Sequence, residues 1–275
     1  MRILVTGARG MLGSDLVPIL QDEGHQVLAW DLEELDITRR NDVFKALETA
    51  HPQAVVNCAA YTDVDGAETE REKAYAINAL GVQNLALACA KIDCEMMQIS
   101  TDYVFDGTKR TPYLPLDQPA PINWYGYTKY AGEKFVQWHC SRFYILRTSW
   151  LYGKHGKNFV KTILRLAEER DHLEVVDDQV GAPTNSIGLA HAITKVINGK
   201  SYGIHHFTDN AENGISWWDF AVEIAHLAGT QILILKSSSN RLTGAAKRPA
   251  YSVLACTMAN QDWKDQLTHF ILELP

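Results

Sequence analysis

The chain has 275 residues, of which 46% are hydrophobic, and a formal net charge of −7 at pH 7. A chain of this length and apolar content can bury a complete hydrophobic core, which excludes an intrinsically disordered protein. Its charges form no basic stripe and it has no run of about 20 apolar residues, so neither nucleic acid nor a membrane is an expected partner.

Cysteine usage and the N-terminal sequence indicate a cytoplasmic protein. The five cysteines are odd in number and scattered, which is typical of free thiols in a reducing compartment. Met1 runs directly into an apolar strand pattern, without the charged and apolar segments of a secretory signal. The histidines form no His-Glu-x-x-His motif, and the neighbouring His205 and His206 would point to opposite faces of a strand. We therefore predict no metal site.

The first elements of the chain are a strand, a glycine-rich turn and a helix. Residues Arg2–Thr6 are a short β-type run, and the turn that follows has the spacing G-x-x-G-x-x-G at Gly7, Gly10 and Gly13. Leucines four residues apart then predict an amphipathic helix. Backbone N–H groups and the helix dipole both favour an anion at such a junction, so we predict a binding site for a dinucleotide pyrophosphate.

Asp31 follows the second predicted strand, Gln26–Trp30. An acidic residue in that place can accept hydrogen bonds from the adenosine ribose hydroxyls, which favours NAD. Arg9 within the glycine loop and the consecutive arginines at positions 39 and 40 could instead attract a 2′-phosphate. The predicted cofactor is therefore NADH or NADPH. Asp36 lies nearby and could equally serve only a turn before the next helix.

The next strands bring small and hydroxyl-bearing residues to one edge of the predicted sheet. The buried-type run Ala54–Ala60 ends in small residues, against which a flat cofactor can lie. A long helix is predicted over Ala74–Lys91, and the following strand, Glu95–Ser100, leads directly into Thr101. The hydroxyl of Thr101 could hold a carbonyl oxygen, although a β-branched residue at a strand end is equally ordinary.

A tyrosine and a lysine four residues apart open the next predicted helix. Tyr125 and Lys129 would lie on one face of that helix, so the phenol and the ammonium could act on the same small volume. A nearby cation favours the phenolate and would lower the tyrosine pKa towards the range of acid–base catalysis. Tyr130 and Lys134 have the same spacing on another side of the helix. We favour the first pair because it directly follows a proline-containing loop, and loops commonly build sites.

Strands and helices alternate through the first half of the chain, up to a strand at Phe143–Arg147. This alternation predicts an α/β fold with a Rossmann-type, doubly wound parallel sheet. We predict a dinucleotide-binding domain over residues 1–149 and a smaller C-terminal substrate-binding lobe over residues 150–275, part of which returns to the sheet. Within the lobe, helices are predicted over Asn158–Glu169 and Ser186–Asn198.

Several motifs together resemble those of the extended short-chain dehydrogenase/reductases. None is specific alone, but they extend along nearly the whole sequence. They are Thr6–Gly13, Asn57–Asp65, Ser100–Gly107, Tyr125–Lys129, Arg147–Trp150, Asp177–Gln179 and Arg248–Leu254. Within this family, the chain is most similar to enzymes that reduce a nucleotide-linked 4-keto sugar.

The resemblance implies a role for each matched position. Thr101, Tyr125 and Lys129 would be the catalytic residues. Thr101, Asp102 and Trp150 would contact the nucleotide sugar. The residues implied in cofactor binding are Gly7, Gly10, Met11, Leu12, Gly13, Asp31, Asp36, Ile37, Ala59, Ala60, Thr62, Tyr125 and Lys129.

The resemblance also implies a reaction, which is hydride transfer from NADPH or NADH to the C4 ketone of dTDP-4-dehydro-6-deoxy-L-mannose, giving dTDP-L-rhamnose. Related dehydratases carry Asp-Glu after the catalytic threonine, whereas Asp102 is followed here by Tyr103, which favours a simple reductase. Two alternatives stay open. One is a reductase or epimerase of another nucleotide sugar, and the other is a non-catalytic subunit similar to the regulatory subunit of methionine adenosyltransferase.

The family resemblance also has implications for how the chain assembles. Some members of the family pair through a metal held by acidic residues, and Asp15 matches one of those positions. A single carboxylate does not establish a metal site, so the prediction of no metal stands. A homodimer is a possible assembly, and the expected partner is a small-molecule nucleotide sugar.

Overall fold

Strands and helices alternate along most of the chain. The computed structural model describes residues 1–241, 244 and 246–274, so residues 242, 243, 245 and 275 of the predicted lobe lie outside the described part. The strands are β1 (Arg2–Thr6), β2 (Gln26–Trp30), β3 (Ala54–Asn57), β4 (Glu95–Thr101), β5 (Phe143–Thr148), β6 (Leu151–Tyr152), β7 (His172–Val176), β8 (Val180–Gly181), β9 (Thr184–Asn185), β10 (Gly203–His206), β11 (Ile215–Ser216) and β12 (Leu233–Ser237). The helices are α1 (Met11–Asp22), α2 (Arg40–Ala50), α3 (Gly66–Thr69), α4 (Arg71–Tyr75), α5 (Val82–Lys91), α6 (Trp124–His139), α7 (Phe159–Glu169), α8 (Ser186–Asn198), α9 (Trp217–Leu227) and α10 (Trp263–Leu272).

A six-stranded parallel sheet has the order β10-β5-β4-β3-β1-β2. Nearly all residues of its central strands are buried, as is typical of parallel sheets covered on both faces. The register places Thr6 level with Asn57, and Thr101 level with Thr148. The doubly wound parallel sheet predicted from the sequence is thus confirmed. The chain order reverses between β1 and β3, and ligands bind at the carboxyl ends of strands at such a point.

Helices cover both faces of the sheet because alternate residues of each strand point to opposite sides. On one face, Ile3 and Val5 pack with buried leucines of α1 and apolar residues of α8. On the other face, Leu4 packs with apolar residues of α2, α5 and α6. The second half of the chain therefore contributes a covering helix, α8, and an edge strand, β10, to the sheet.

The helix predicted over Ala74–Lys91 is not a continuous α-helix. A π-helical turn, Ala76–Gly81, joins α4 to α5. Asn78 in this turn is buried, and its side chain pairs with the backbone N–H and C=O of Tyr61 at 2.9 and 3.0 Å. Such turns are frequent at functional sites, and this one lines the cleft described below.

A further hydrophobic cluster forms around α7, α9 and α10, with Val160, Phe220 and Leu267 fully buried at its centre. The predicted helices of the second half are confirmed as α7 and α8. The sequence does not predict β7, β12 or α10. Within the described part of the chain, β7 and β12 pair only with each other, and α10 acquires its buried face from this cluster. Among the described residues, no helix combines the length and the apolar composition that a membrane span requires.

Candidate active site

A cleft of about 620 Å³ lies at the carboxyl ends of β1, β2 and β3. It is situated where the strand order reverses, which is the usual place of a nucleotide in such a fold. The structure brings together around this one cavity seven of the residues implied in cofactor binding. They are Gly7, Gly10, Asp31, Asp36, Ile37, Ala59 and Ala60.

The glycine loop forms one wall of the cleft. Gly7 turns the chain out of β1 with a φ of +66°, a conformation that favours glycine. A Cβ atom on Gly7 would lie 2.7 Å from the backbone nitrogen of Ala59, so any side chain would push the two strand ends apart. Gly10 is the N-cap of α1 and lines the cleft. The free N–H groups at the start of α1 are therefore near the cavity, where they can meet an anion.

The next three residues implied in cofactor binding lie behind the loop. Leu12 and Gly13 are buried, with Leu12 in the core that α1 shares with α8, and Met11 lies near Gly153. None of these three lines the cleft, and Thr62, beyond β3, is exposed outside it. At Met11, Leu12 and Gly13, the structure thus leaves backbone N–H groups rather than side chains as possible cofactor contacts.

Two acidic side chains shape the wall beyond β2. Asp31 accepts the backbone N–H of Arg9 and that of Leu32, each at 2.8 Å, and so ties the glycine loop to the strand end. Asp36 accepts the backbone N–H and the hydroxyl of Thr38 at 3.0 and 2.7 Å. Asp36 therefore stabilises the turn before α2, which is one of the two roles predicted from the sequence. It also lines the cleft, as the other predicted role, cofactor binding, requires.

The start of α6 positions the favoured tyrosine. Asn123 is the N-cap, and its side chain accepts the N–H of Gly126 at 2.7 Å. A Cβ atom on Gly126 would lie 2.1 Å from the carbonyl oxygen of Tyr103, so this glycine lets the helix approach the end of β4 closely. Tyr125 consequently packs edge-on against Tyr103, with 6.0 Å between the ring centroids.

Lys129 lies one helical turn further along and is only 4% exposed. Its ammonium group donates a hydrogen bond to the carbonyl oxygen of Ile99 in β4 at 2.7 Å. Burial lowers the pKa of Lys129 to about 8, while the nearby Glu133 and Cys58 oppose that change. Because Cys58 also lines the cleft, the lysine lies next to the cofactor cavity.

The predicted lowering of the Tyr125 pKa is wrong for this structure. Burial and, to a smaller extent, the charge of Asp102 raise the pKa of Tyr125 to about 12, although Thr101 partly offsets both effects. The ammonium of Lys129, which was expected to favour the phenolate, instead donates to Ile99. Tyr125 is therefore a protonated phenol at neutral pH, which suits a proton donor.

The rival pair lies in other surroundings. Tyr130 packs against a hydrophobic cluster that includes Val104 and Tyr251. The ammonium of Lys134 lies 6.0 Å from the ring centroid of Trp138, which is 66% exposed. None of the four residues of the two pairs lines the cleft itself, but only the favoured pair adjoins site residues, Lys129 through Cys58 and Tyr125 through Thr101 and Asp102.

The residues implied in substrate contact follow β4 directly. Thr101 donates its hydroxyl to Asp102 at 3.0 Å and accepts the N–H of Tyr103 at 3.2 Å. Asp102 is buried, and among the described residues its Oδ2 atom has no hydrogen-bond partner. Burial raises the pKa of Asp102 to about 6, against the lowering effects of Ser252 and Thr101. An unpaired buried oxygen beside Tyr125 is a candidate contact for a polar ligand.

Trp150 stands apart from this group, in the hydrophobic cluster around α9. Its indole stacks on Trp217 with 3.6 Å between ring centroids, and it lies against Gly181. The residue has a φ of 47°, which is uncommon for a bulky side chain and is found where surrounding structure imposes it. Trp150 is partly buried, so part of the indole remains accessible.

Several residues around the site are not predicted from the sequence. Leu32 and Leu35 line the cleft beyond β2, and Lys73 and Ile77 line it from α4 and the π-helical turn. The one sequence signal, for Leu32 alone, is an apolar residue directly after the acidic residue that follows β2, and the structure leaves this side chain 70% exposed. The positions of Leu35, Lys73 and Ile77 at the cleft depend on how α4 and the π-helical turn pack in the folded chain, which local sequence does not show.

Arg248 is a further residue to which the sequence assigns no role. Its guanidinium group donates to Asp65 at 2.7 Å, and its charge acts on the phenol of Tyr103. Arg248 therefore links the motif Arg248–Leu254 to the segment that follows β4. Only tertiary structure brings these positions together.

Asp15 is engaged by protein groups. It accepts a hydrogen bond from the hydroxyl of Ser186 and faces His155 at 3.7 Å. Within the described ranges, no group of three or more histidine, cysteine or carboxylate side chains is placed to hold a metal ion.

Comparison with known proteins supports the sequence resemblance. The family model described as RmlD substrate binding domain matches residues 1–275. A dTDP-4-dehydrorhamnose reductase from Aggregatibacter actinomycetemcomitans is 43% identical, over 97% of this chain and 97% of the relative. A dTDP-4-keto-6-deoxy-D-glucose reductase from Streptomyces niveus is 40% identical, over 92% of this chain and 88% of the relative.

A solved structure agrees in fold over almost the whole chain. The dTDP-4-dehydrorhamnose reductase from Bacillus anthracis, crystallised in complex with NADP, superposes with a TM-score of 0.96 at 40% identity and covers 99% of both chains. Full-length matches at this identity confirm the resemblance. This chain belongs to the RmlD substrate-binding-domain family.

Proposed function

We propose that this chain transfers hydride from NADH or NADPH to the C4 ketone of dTDP-4-dehydro-6-deoxy-L-mannose and so forms dTDP-L-rhamnose. The observation that carries the proposal is the burial of Tyr125 and Lys129 against the end of β4. Thr101 and Asp102 lie next to Tyr125 there, and Cys58, which lines the cofactor cleft, lies near Lys129. Relatives of about 40% identity with this named activity support it.

The cleft suits a nicotinamide dinucleotide. The N-terminus of α1 offers N–H groups for the pyrophosphate, and Asp31 offers acceptors for the ribose hydroxyls. Ala59 and Ala60 leave room for a flat group against the backbone. When bound, the dinucleotide supplies the hydride. The protein then has to position the sugar ketone and provide one proton.

The side chains around Thr101 can perform these tasks. Tyr125 donates its proton to the carbonyl oxygen as negative charge develops there, because its phenol is protonated at neutral pH. The hydroxyl of Thr101 orients that oxygen, and Lys129 holds the nicotinamide ribose. Asp102 and Trp150 contact the nucleotide sugar.

We also propose a division of labour along the chain. Residues 1–149 bind the dinucleotide and residues 150–275 form the substrate-binding lobe. The family resemblance extends the proposal to a homodimer in the cytoplasm, which size-exclusion chromatography and cell fractionation would test.

An assay over a panel of sugars tests the proposed function. The purified chain should oxidise NADH or NADPH in the presence of dTDP-4-dehydro-6-deoxy-L-mannose, and NMR should identify dTDP-L-rhamnose as the product. The second arm is dTDP-4-keto-6-deoxy-D-glucose, because the relative from Streptomyces niveus is named for that sugar. Turnover with dTDP-4-keto-6-deoxy-D-glucose alone would instead identify the chain as a reductase of that sugar. Bound dinucleotide without turnover of either sugar would contradict the proposal.

The same assay includes a negative control with dTDP-glucose and NAD. A 4,6-dehydratase needs an acid and a base beyond the tyrosine, and the second position after Thr101 is Tyr103 rather than a carboxylate. Burial raises the pKa of Tyr103, which makes it a poor base. No 4-keto-6-deoxy product is expected.

The rate of hydride transfer should fall as pH rises above about 8. Burial lowers the pKa of Lys129 to about 8, so the ammonium that holds the nicotinamide ribose is charged at pH 7 and loses its proton as pH rises through that value. Single-turnover oxidation of NADH between pH 6 and 10 measures the effect, with the Kd for NADH determined at each pH to separate binding from chemistry. A rate that stays constant to pH 9.5 would show that the charge of Lys129 has no part in the reaction.

A further inference from the structure

An ion pair lies next to Asp31, between Arg9, which lines the cleft, and two glutamates of the adjoining pocket. The guanidinium of Arg9 makes two hydrogen bonds to Glu34, at 2.9 and 3.0 Å, and one to Glu33 at 3.1 Å. Glu34 also accepts the backbone N–H of Asp31 at 2.8 Å. The position of this pair matters because Asp31 is the residue predicted to accept hydrogen bonds from the adenosine ribose.

The local charge is negative in spite of the arginine. Arg9 is surrounded by the carboxylates of Asp31, Glu33 and Glu34, which leaves this group with a net charge of −2. Two of the neighbouring cations are paired as well. Lys73 in the same cleft lies 3.2 Å from Glu70, and Arg39 in the adjoining pocket lies 3.4 Å from Asp36.

NADH and NADPH differ only at the adenosine ribose, where NADPH carries a 2′-phosphate. A phosphate monoester has a charge of about −1.5 to −2 at pH 7, so it would be repelled by the acidic group unless a cation were free to bind it. A ribose hydroxyl, by contrast, can donate to a carboxylate oxygen of Asp31. The unmodified ribose therefore fits the described side chains, whereas binding of a 2′-phosphate by Arg9 requires this arginine to leave Glu34.

We propose that Glu34 is the residue that makes this chain select NADH over NADPH, because it occupies the guanidinium that a 2′-phosphate would need. The inference rests on the proposed function only in that a nicotinamide dinucleotide occupies the cleft.

Glu34 is a stronger candidate than its neighbour. It has two contacts with Arg9 and one with Asp31, and its side chain is 38% exposed. Glu33 has a single contact with Arg9, and its side chain is 85% exposed. Water therefore screens the charge of Glu33 more strongly than that of Glu34. Glu33 is therefore a matched control of the same chemistry in the adjacent position.

The test measures Kd for NADH and NADPH by fluorescence titration of the wild-type chain and three variants. The variants are Glu34→Gln, Glu33→Gln and the double variant Arg9→Gln/Glu34→Gln. Glutamine at position 34 keeps an acceptor for the N–H of Asp31 while it removes the charge. Thermal melting of each variant establishes that it is folded.

The wild-type chain should bind NADH about tenfold or more tightly than NADPH. Glu34→Gln should improve NADPH binding by about tenfold and leave NADH binding within about threefold, because it removes a negative charge that repels the 2′-phosphate and frees the guanidinium of Arg9 to bind that phosphate. Glu33→Gln should change the ratio by less than about threefold. The double variant should lose the gain for NADPH, since Arg9 is the residue that Glu34→Gln sets free.

Three results would overturn the inference. They are a wild-type preference for NADPH, an equal effect of Glu34→Gln on both dinucleotides, and a gain for NADPH that persists without Arg9. In each of these cases a dinucleotide still binds, so the proposed function stands. Binding of neither dinucleotide would overturn the proposed function and the inference together.

Discussion

Tyr125→Phe is expected to lower kcat by at least about 100-fold, whereas Tyr130→Phe should leave it within about threefold. A positioned general acid contributes about 10²- to 10⁴-fold to a rate, and phenylalanine cannot supply the proton. The phenylalanine ring can still pack edge-on against Tyr103. Tyr130 is the matched control because it also precedes a lysine by four residues on α6 but packs in the cluster around Val104.

Steady-state rates with the 4-keto sugar measure this difference, and titration with NADH shows whether each variant still binds the cofactor. A Tyr125→Phe variant that binds NADH normally and has lost turnover would identify the phenol as the acid. If Tyr130→Phe were the damaging change, the wrong pair would have been assigned to the site.

Arg147→Met should destabilise the folded chain by about 3–5 kcal/mol. Arg147 in β5 donates two hydrogen bonds to Glu133 in α6, at 2.8 and 2.7 Å, and both side chains are only 1% exposed. Its remaining nitrogen donates to the carbonyl oxygen of Pro115 at 3.1 Å. Removing the arginine leaves the buried carboxylate of Glu133 without its hydrogen-bonded ion-pair partner, and loss of one partner of a buried pair costs this much.

Urea unfolding at pH 7 measures the change in the free energy of unfolding. The matched control is Arg165→Met, which breaks the Arg165–Glu169 pair on α7, whose side chains are 58% and 51% exposed. That change should cost less than about 1 kcal/mol. The double variant Glu133→Leu/Arg147→Met should recover most of the lost stability, because it removes the unpaired charge. A loss below about 1 kcal/mol for Arg147→Met alone would contradict the argument.

The nucleotide-binding half of the site follows largely from local sequence. The glycine spacing at Gly7 and Gly10 and the acidic residue Asp31 can be placed from strand, turn and helix signals that span few residues. Since parallel strands end at one edge of the sheet, signals far apart in the chain converge without further information. The same alternation of elements predicts the doubly wound sheet, which the structure confirms.

The catalytic half of the site and its electrostatics depend on tertiary structure. Two Tyr/Lys pairs cannot be separated by their spacing, which is the same, and the close approach of Gly126 to Tyr103 is what brings Tyr125 beside Thr101. The Tyr125 pKa was predicted to fall, and it rises because burial and Asp102 outweigh any effect of the lysine. The pairing of Arg9 with Glu34 likewise joins residues on different elements. Motif spacing encodes neither the burial of a side chain nor its distance from residues remote in the chain, and these quantities set the electrostatics of the site.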